Sequence, residues 1–267
     1  LTATPIPRTL SMSVYANMDV SVIDELPPGR KPIQTSCLPL SGKDKLIERM
    51  LAATKQGSKV YWICPLIEES ENLDLNAVME TYEDLSEHFS QEKVGCLHGK
   101  LSANKKQEQI QAFKDSQTKI LVSTTVVEVG VDIPDADIMV IENAERFGLA
   151  QLHQLRGRIG RGTKESFCIL LHKDKIQDVS SQRLQVLVDS QDGFKIAEED
   201  LVIRGPGEIM GAQQTGIVPM KYTNLVRDSQ YLMETKKVAE LICNEEPELA
   251  NQLIERWISG SIAFADA

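Results

Sequence analysis

The sequence predicts an α/β protein, in which a parallel sheet flanked by helices precedes a mainly helical C-terminal region with a helical hairpin. Three observations predict this fold. Short apolar runs, typical of strands that are buried on both faces, recur along the first two thirds of the chain. Segments of helical spacing separate these runs, as the crossovers of a parallel sheet require. Beyond His172 the apolar residues recur at helical spacing.

The first elements follow from this pattern. Prolines in residues 1–35 forbid long helices, so this segment is predicted to be an irregular leader or linker. A helix is predicted over Lys43–Gln56, where apolar residues recur at helical spacing. The run Lys59–Ile67 predicts a buried strand because it is apolar and rich in β-formers. A helix over Asn76–Phe89 and a short strand over Val94–His98 follow.

The middle of the chain continues the alternation. A helix is predicted over Ala103–Lys114, with Ser102 as its N-cap because a serine hydroxyl accepts a free backbone N–H there. Another helix is predicted over Leu149–Gly157. Three further apolar runs predict strands: Lys119–Thr124, Asp137–Asn143 and Ser166–His172.

The C-terminal region is predicted to be helical. Two helices are expected on either side of a break at Ser190–Gly193, and a glycine-rich stretch, RGPGEIMGAQQTG, follows them. The tail carries apolar stripes at helical spacing, formed by Val238, Leu241, Ile242, Leu249, Leu253, Ile254 and Trp257.

Composition limits the class of protein. The chain has 267 residues and a net charge of −10, which allows one large domain or two smaller ones. No apolar run approaches the roughly 18 residues of a membrane helix, and no leader indicates secretion. An acidic chain does not coat nucleic acid by bulk charge, although a few focused contacts still reach phosphates. Because the first residue is Leu rather than Met, we expect an excised fragment.

The cysteines and histidines give little support for a metal site. The five cysteines lie far apart, and the four histidines are scattered. Several cysteines lie inside apolar runs. We therefore expect buried, reduced thiols in a cytosolic protein rather than disulfides or zinc ligands, and we predict no metal site.

Three polar stretches are predicted to lie at the carboxyl ends of strands, where parallel α/β sheets bind ligands. They are His98–Ser102, Ser123–Pro134 and Gln151–Gly162. In the last, QLHQLRGRIGRG, Arg158 and Arg161 each directly follow a glycine. The planar guanidinium suits phosphate oxygens, so both are candidate arginine fingers for nucleotide hydrolysis. The motif alone leaves open that they cap carbonyls at a helix C-terminus.

In their order along the chain, the three stretches resemble the later motifs of superfamily 2 helicases, found in the second of two RecA-like motor domains. Longer strings narrow the resemblance to the RecG family of branch-migration helicases. They are TATPIPRTL, SVIDELPPGRKPI, YWICPLIEES and IENAERFGLAQLHQLRGRIGRG. The string RLQVLVDSQDGFKIAEEDLVIRGPGEIMGAQQTG resembles the TRG element that follows the RecG motor.

The resemblance implies a nucleotide site. Gln154, Arg158 and Arg161 are expected to contact the ATP phosphates, the two arginines as fingers. Gly130 and Asp132 are expected to lie at the nucleotide sugar, where the carboxylate can accept a hydrogen bond from a ribose hydroxyl.

The resemblance also implies contacts with DNA and a coupling element. Thr124 and the backbone at Gly99 are expected to contact DNA phosphates, which hydroxyls and peptide N–H groups do without a large positive field. Arg183, Arg204 and Gln214 are expected to couple ATP hydrolysis to movement along DNA.

The implied organisation has three parts. Residues 1–35 form a leader from the end of the first motor domain, with Thr2 and Thr4 in the motif that ends that domain. Residues 36–173 form the second, RecA-like motor domain. Residues 174–267 form the TRG hairpin, its loop and the C-terminal helices.

A phosphate-binding loop of the form GxxxxGK[ST] is absent from the sequence. SGKDK and HGKLS lack its spacing, GPGEIMG follows no predicted strand, and IDEL lies in the proline-rich leader. ATP and Mg²⁺ would therefore be held mainly by a preceding motor domain, and neither is expected to bind tightly here. We expect the chain alone to be inactive as an ATPase and as a helicase.

The implied activity is ATP-dependent remodelling of stalled forks and branched DNA in recombination and repair, in the bacterial cytoplasm at the nucleoid. The implied partners are branched or forked DNA, the first motor domain and an N-terminal wedge domain, with no membrane. Two alternatives stay open. One is the transcription-repair coupling factor, which shares both parts. The other is a non-catalytic RecA-like docking module, which would have no use for finger arginines.

Overall fold

A computed structural model describes residues 31–65, 71–89, 93–124, 136–160, 164–204, 228 and 231–258. Within them, six strands form one parallel sheet in the order β1-β6-β5-β2-β4-β3. The strands are β1 (Ile33–Pro39), β2 (Val60–Cys64), β3 (Val94–Leu97), β4 (Ile120–Thr124), β5 (Ile138–Ile141) and β6 (Ser166–His172). The helices are α1 (Lys43–Lys55), α2 (Glu71–His88), α3 (Ala103–Lys114), α4 (Leu149–Arg156), α5 (Asp178–Asp189), α6 (Gly193–Arg204), α7 (Leu232–Glu245) and α8 (Pro247–Ile258).

The predicted fold class is confirmed, because helices cover both faces of the parallel sheet. All five residues of β2 are buried, and successive side chains of a strand point to opposite faces. Trp62 packs in a cluster with residues of α1 and α2. Ile63 packs in a second cluster with residues of α3, α4 and α5. The sheet therefore lies between two layers of helices.

Several predicted elements match closely. α3 and β6 have the predicted bounds at both ends, and Oγ of Ser102 accepts the backbone N–H of Lys105 at 3.4 Å. α2 begins at Glu71 rather than at Asn76. The break between α5 and α6 falls inside the predicted Ser190–Gly193.

The sequence analysis missed β1 and predicted irregular structure through residue 35. β1 pairs in parallel with β6, starting with Ile33 opposite Ser166. It is an edge strand, and Gln34 and Ser36 are exposed between residues that are more buried. An alternating edge strand lacks the continuous apolar run that marked the central strands, so that signal could not find it.

The described residues belong to two compact units, the first ending at Ile196 and the second beginning at Ala197. In the second unit, α7 and α8 pack against each other. Val238 and Leu241, on the predicted apolar stripe of α7, are each 55% exposed. None of the described helices has the length and apolar character needed to cross a membrane. The domain limits 1–35, 36–173 and 174–267 stay predictions.

The cysteines are free thiols, but they are not uniformly buried. Cys64 and Cys168 are buried, and burial raises the pKa of each thiol to about 12. Both are therefore protonated and unreactive at neutral pH. Cys243 is exposed, so the prediction of buried thiols is wrong at this position.

A polar network joins two strands and two helices on one face of the sheet. Directly after β5, Glu142 Oε2 accepts hydrogen bonds from Trp62 Nε1 at 2.9 Å and Thr81 Oγ1 at 3.2 Å. Lys43 Nζ lies 3.5 Å from Glu142 Oε1 and 2.8 Å from Asp84 Oδ2. Burial lowers the pKa of Lys43, but its two carboxylate partners outweigh burial and the pKa is raised. The network therefore fixes α1 and α2 against β2 and β5.

Candidate functional site

The two predicted DNA-contacting residues, Gly99 and Thr124, lie at the carboxyl ends of neighbouring strands. β3 pairs with β4, with Leu97 opposite Ser123, so Gly99 and Thr124 follow at adjacent strand ends. Thr124 is 3% exposed, and its Oγ1 has no hydrogen-bond partner among the residues that the structure describes. Gly99 is exposed. The exposed backbone of Gly99 and the buried hydroxyl of Thr124 thus lie at the carboxyl ends of adjacent strands.

The loop at Gly99 concentrates positive charge in an acidic chain. Nζ of Lys106 donates to the carbonyl of Gly99 at 2.9 Å, which fixes the loop against α3. Burial lowers the pKa of His98, and the nearby Lys106 and Lys100 lower it further. His98 is therefore a neutral imidazole beside two cations at neutral pH. Focused charge of this kind suits a phosphate contact.

The loop that carries Arg158 lies at the amino ends of the strands, opposite the carboxyl ends where Gly99 and Thr124 lie. This loop, residues 157–160, is here named the arginine loop. A Cβ added to Gly160 would lie 3.0 Å from Cγ1 of Ile33 and 3.6 Å from Cβ of Ser166. These two residues begin β1 and β6. The prediction that all three polar stretches lie at carboxyl ends is therefore wrong for the third, because a loop from a helix to a parallel strand must reach that strand's amino end.

Gln154 and Arg158 lie at the same end of α4. Gln154 is exposed on its last turn, and Arg158 is partly exposed just beyond it. The N–H of Arg158 donates to the carbonyl of Leu155 at 3.0 Å, so the chain turns tightly after the helix. Gly157 is in the helical region, and a Cβ there would meet nothing closer than 3.4 Å. In this loop, Gly160 is the glycine that the packing requires.

Sequence reasoning missed Arg156, which is 3% exposed. Its Nη1 donates to the backbone carbonyls of Leu187 at 2.6 Å and Ser190 at 2.8 Å. Burial lowers the pKa of this guanidinium, which nevertheless stays charged. A signal was present in the sequence: helical spacing from Leu149 and Leu152 places Arg156 on the buried face of α4. A cation on an otherwise apolar helix face indicates that polar groups inside the protein accept its hydrogen bonds.

The remaining predicted residues have different outcomes. Arg183 lies on α5, and its buried Nε has no hydrogen-bond partner in the described part of the chain. Arg204 is the last residue of α6. The other predicted site residues lie outside the described residues: Thr2, Thr4, Gly130, Asp132, Arg161 and Gln214.

Comparison with protein families gives two matches on separate parts of the chain. The model described as "Helicase conserved C-terminal domain" matches residues 42–163. The model described as "ATP-dependent DNA helicase RecG, domain 3, C-terminal" matches residues 190–256. The first match contains β2 to β5 and the arginine loop, and the second contains α6, α7 and most of α8.

Individual relatives agree with these matches. The ATP-dependent DNA helicase RecG of Pasteurella multocida (strain Pm70) is 50% identical over 97% of this chain and 38% of its own length. That of Escherichia coli (strain K12) is 48% identical over 100% of this chain and 39% of its own length. A solved structure of RecG bound to a three-way DNA junction matches 86% of this chain and 29% of its own, with a TM-score of 0.67 and 44% identity. The chain thus spans about two fifths of the length of the curated relatives it matches.

The contact at Gly160 generates a stability prediction. Gly160→Ala is expected to lower the free energy of unfolding by about 1–3 kcal/mol, because φ is +73° and the new Cβ would lie 3.0 Å from Cγ1 of Ile33, which would have to shift. Gly157→Ala is the matched control and is expected to stay within about 1 kcal/mol of the wild type. Chemical denaturation of the three proteins measures both. Equal stabilities for the two variants would contradict the packing described for the arginine loop.

Proposed function

Because the chain belongs to the RecG family of ATP-dependent DNA helicases, we propose that it is the second motor half of such an enzyme and remodels forked and branched DNA together with a preceding motor domain. The whole enzyme's activity is part of the proposal, since the chain spans about two fifths of its relatives' length. The observation that carries it is the 44% identity to the RecG structure bound to a three-way DNA junction.

The DNA side of the proposal rests on the carboxyl ends of β3 and β4. The backbone at Gly99 and the hydroxyl of Thr124 would donate to phosphate oxygens. Lys100 and Lys106 would add a local positive potential. Contacts of this kind position a duplex or strand without reading its sequence, and they explain how a chain with a net charge of −10 works on DNA. DNA-structure specificity would then come from a wedge domain elsewhere in the enzyme.

The nucleotide side of the proposal rests on the arginine loop and its neighbours. Arg158 and Arg161 would approach the γ-phosphate as fingers and stabilise the charge that develops during hydrolysis. Gln154, at the same end of α4 as Arg158, would contact the phosphates or the attacking water. Gly130 and Asp132 would lie at the sugar.

The residues present fit part of a nucleotide site only. The chain supplies guanidinium and amide donors, which suit phosphate oxygens. The sequence has no GxxxxGK[ST] loop to cradle the β- and γ-phosphates. We therefore assign most of the binding of ATP and Mg²⁺ to the preceding motor domain, with Mg²⁺ neutralising phosphate charge there. The arginines of this chain would approach from across the cleft.

The helical region would couple the two activities. Arg183, Arg204 and Gln214 are assigned to this coupling, and Thr2 and Thr4 to the motif between the two motor domains. The proposed limits are 1–35 for the leader, 36–173 for the motor domain and 174–267 for the coupling region. The enzyme would act in the bacterial cytoplasm, at the nucleoid.

The proposal is tested by comparing the isolated chain with the full-length enzyme. The chain alone is expected to show no ATP hydrolysis, with or without forked DNA, because it lacks the phosphate-binding loop. The full-length protein is expected to hydrolyse ATP when forked DNA is added. A coupled ATPase assay with forked, linear duplex and no DNA measures this. Turnover by the chain alone, abolished by Arg161→Ala, would contradict the proposal.

Substitution of a finger is expected to affect turnover more than binding. In the full-length enzyme, Arg158→Ala should lower kcat for ATP about a thousandfold, while KM changes much less, because a finger acts mainly in the transition state. Arg146→Ala, an exposed arginine in the same segment, is the control and should leave kcat unchanged. Equal losses in kcat and in nucleotide affinity would make Arg158 a ground-state ligand instead.

His98 is expected to report DNA binding at the Gly99 loop. Its pKa in the free protein lies below the ordinary value of 6.5, and Lys106→Met is expected to raise it because one neighbouring cation is removed. Lys105→Met is the control, since Lys105 does not contribute to the lowered pKa of His98. A bound phosphate would raise the pKa of His98 by favouring the charged form, so DNA affinity should increase as pH falls. NMR titration of the imidazole measures this, and an unchanged pKa on adding forked DNA would argue against this contact.

A further inference from the structure

Three lysines lie together at the amino ends of β3 and β4. Lys93 directly precedes β3, Lys119 directly precedes β4, and Lys114 is the last residue of α3. The backbone N–H of Lys119 donates to the carbonyl of Lys93 at 2.7 Å, so these two lysines are neighbours across the two strands. Lys93 and Lys114 are exposed, and Lys119 is partly exposed. The three residues are here named the lysine cluster.

The packing of α3 against β3 places Lys114 at the same end of the sheet as the other two lysines. A Cβ added to Gly95 of β3 would lie 2.9 Å from Oε1 of Gln109 on α3, so the helix and the strand are in close contact. Beyond the helix, the N–H of Thr118 donates to the carbonyl of Ala112 at 3.2 Å. This bond closes a short turn that leads from the end of α3 to the start of β4.

The charges of the lysine cluster are not neutralised inside the protein. Among the residues that the structure describes, none forms an ion pair with any of the three lysines. The adjacent carboxylate of Asp115 accepts a hydrogen bond from Nε2 of Gln111 at 2.9 Å instead. The C-terminus of α3 already has a cation, because Nζ of the buried Lys59 donates to the carbonyl of Lys114 at 2.9 Å. Stabilisation of this helix end therefore does not account for the cluster.

The two faces of the sheet carry opposite charge near the cluster and on α2. Phe113 of α3 packs on one face, and Val78 of α2 packs on the other. The outward side of α2 presents Glu80, Glu83 and Glu87, which are all exposed. Because the whole chain has a net charge of −10, the cluster is a local positive area on an acidic protein. A polyanion is repelled by the α2 side and attracted to the α3 side.

The cluster offers charge without an apolar or aromatic anchor. Large apolar side chains are exposed at several described positions, but none of these positions lies on β3, α3 or β4. A protein partner would lack the buried aromatic contacts that carry most binding energy, and a single strand would lack a platform on which its bases stack. Lysine ammonium groups on flexible stems instead suit the repeated phosphates of a DNA duplex, whose backbone they bind without reading sequence.

The lysine cluster and the Gly99 loop lie at opposite ends of the same helix. Nζ of Lys106, near the start of α3, donates to the carbonyl of Gly99, whereas Lys114 ends the helix. The 12 residues of α3 span about 18 Å at the usual rise of a helix. Successive base pairs of a duplex are ~3.4 Å apart, so this distance corresponds to about five base pairs. One duplex arm is therefore long enough to contact both ends of α3.

We propose that the lysine cluster is a second phosphate-binding surface, which holds the backbone of a duplex arm while the Gly99 loop contacts the same arm about five base pairs away. The inference rests on the proposed function, because it gives the DNA substrate a further contact on the same motor domain. The surface adds affinity and lengthens the stretch of duplex that is covered. It takes no part in ATP hydrolysis.

The experiment compares the full-length enzyme with two triple variants. The cluster variant carries Lys93→Gln, Lys114→Gln and Lys119→Gln. The control variant loses the same charge from exposed positions of α1, which packs on the other face of the sheet: Lys45→Gln, Arg49→Gln and Lys55→Gln. Thermal unfolding checks that both variants are folded. Fluorescence anisotropy then gives Kd for a linear duplex and for a single strand of the same length over a series of salt concentrations.

The cluster variant is expected to bind duplex with a weaker salt dependence. Each lost phosphate contact lowers the slope of log affinity against log salt by about 0.9, so the three substitutions should lower it by about 2–3. Duplex affinity at low salt should fall about tenfold or more, while the control variant keeps the slope and the affinity of the wild type. Lys114→Gln alone should lower the slope by about 1 and provides the test if the triple variant is unstable.

Two further measurements locate the contact. Hydroxyl-radical footprinting should show that the cluster variant protects about five base pairs fewer of a duplex arm than the wild type does. At saturating forked DNA, kcat for ATP should stay within about twofold of the wild type, because the surface touches neither the nucleotide nor the arginine loop. A footprint of unchanged length would contradict the position assigned to the duplex.

Three outcomes would overturn the proposal. Equal slopes for the cluster and control variants on duplex would remove the surface, and a lowered Tm with unchanged DNA binding would assign the lysines to the helix ends. A loss confined to the single strand would show that the cluster holds a strand and no duplex.

The wild-type ATPase distinguishes these outcomes from a failure of the proposed function. If forked DNA stimulates it while both variants bind duplex alike, the helicase assignment stands and only this surface fails. If forked DNA does not stimulate it, the proposed function itself fails.

Discussion

The parallel connection of the six strands is the constraint on which the placement of the chemistry depends. In such a sheet, a loop that leads from a strand to a helix lies at the carboxyl ends of the strands. A loop that leads from a helix to a strand lies at their amino ends. Gly99 and Thr124 belong to the first kind of loop, and Arg158 to the second. Gly99 and Thr124, the proposed DNA contacts, therefore lie at the opposite end of the strands from Arg158, one of the two proposed fingers.

At each end of the strands, a polar contact joins the sheet to the helices that pack on it. On one face, Glu142 joins the ends of β2 and β5 to α1 and α2 through Trp62 and Lys43. At the amino edge, Arg156 joins α4 to α5 and β1. Hydrophobic contacts between these layers are non-directional and would tolerate small sliding movements. Hydrogen bonds to buried charged groups do not, so the sheet and the helices packed on it are held in fixed register.

The sequence predicted the elements whose signals are local. The apolar run of β6 and the Ser102 cap of α3 were found because burial on both faces and capping chemistry leave direct marks on the residues. β1 was missed because an edge strand exposes alternate residues and resembles a loop. Arg156 was missed for a different reason: the predicted fingers are the arginines that directly follow a glycine, whereas Arg156 follows Leu155. Motif order does not show which end of the sheet a loop reaches, and the arginine loop lies at the amino ends of β1 and β6 because α4 returns the chain to that end.

Added salt is expected to act differently on the buried Arg156 contact and on the lysines near Gly99. A guanidinium held by carbonyl dipoles inside the protein is shielded from mobile ions, whereas exposed lysines beside a strand end are screened within about 10 Å at 0.1 M salt. Under the proposed function, added salt is therefore expected to weaken the contacts of these lysines with DNA phosphates at concentrations that leave the Arg156 contact intact.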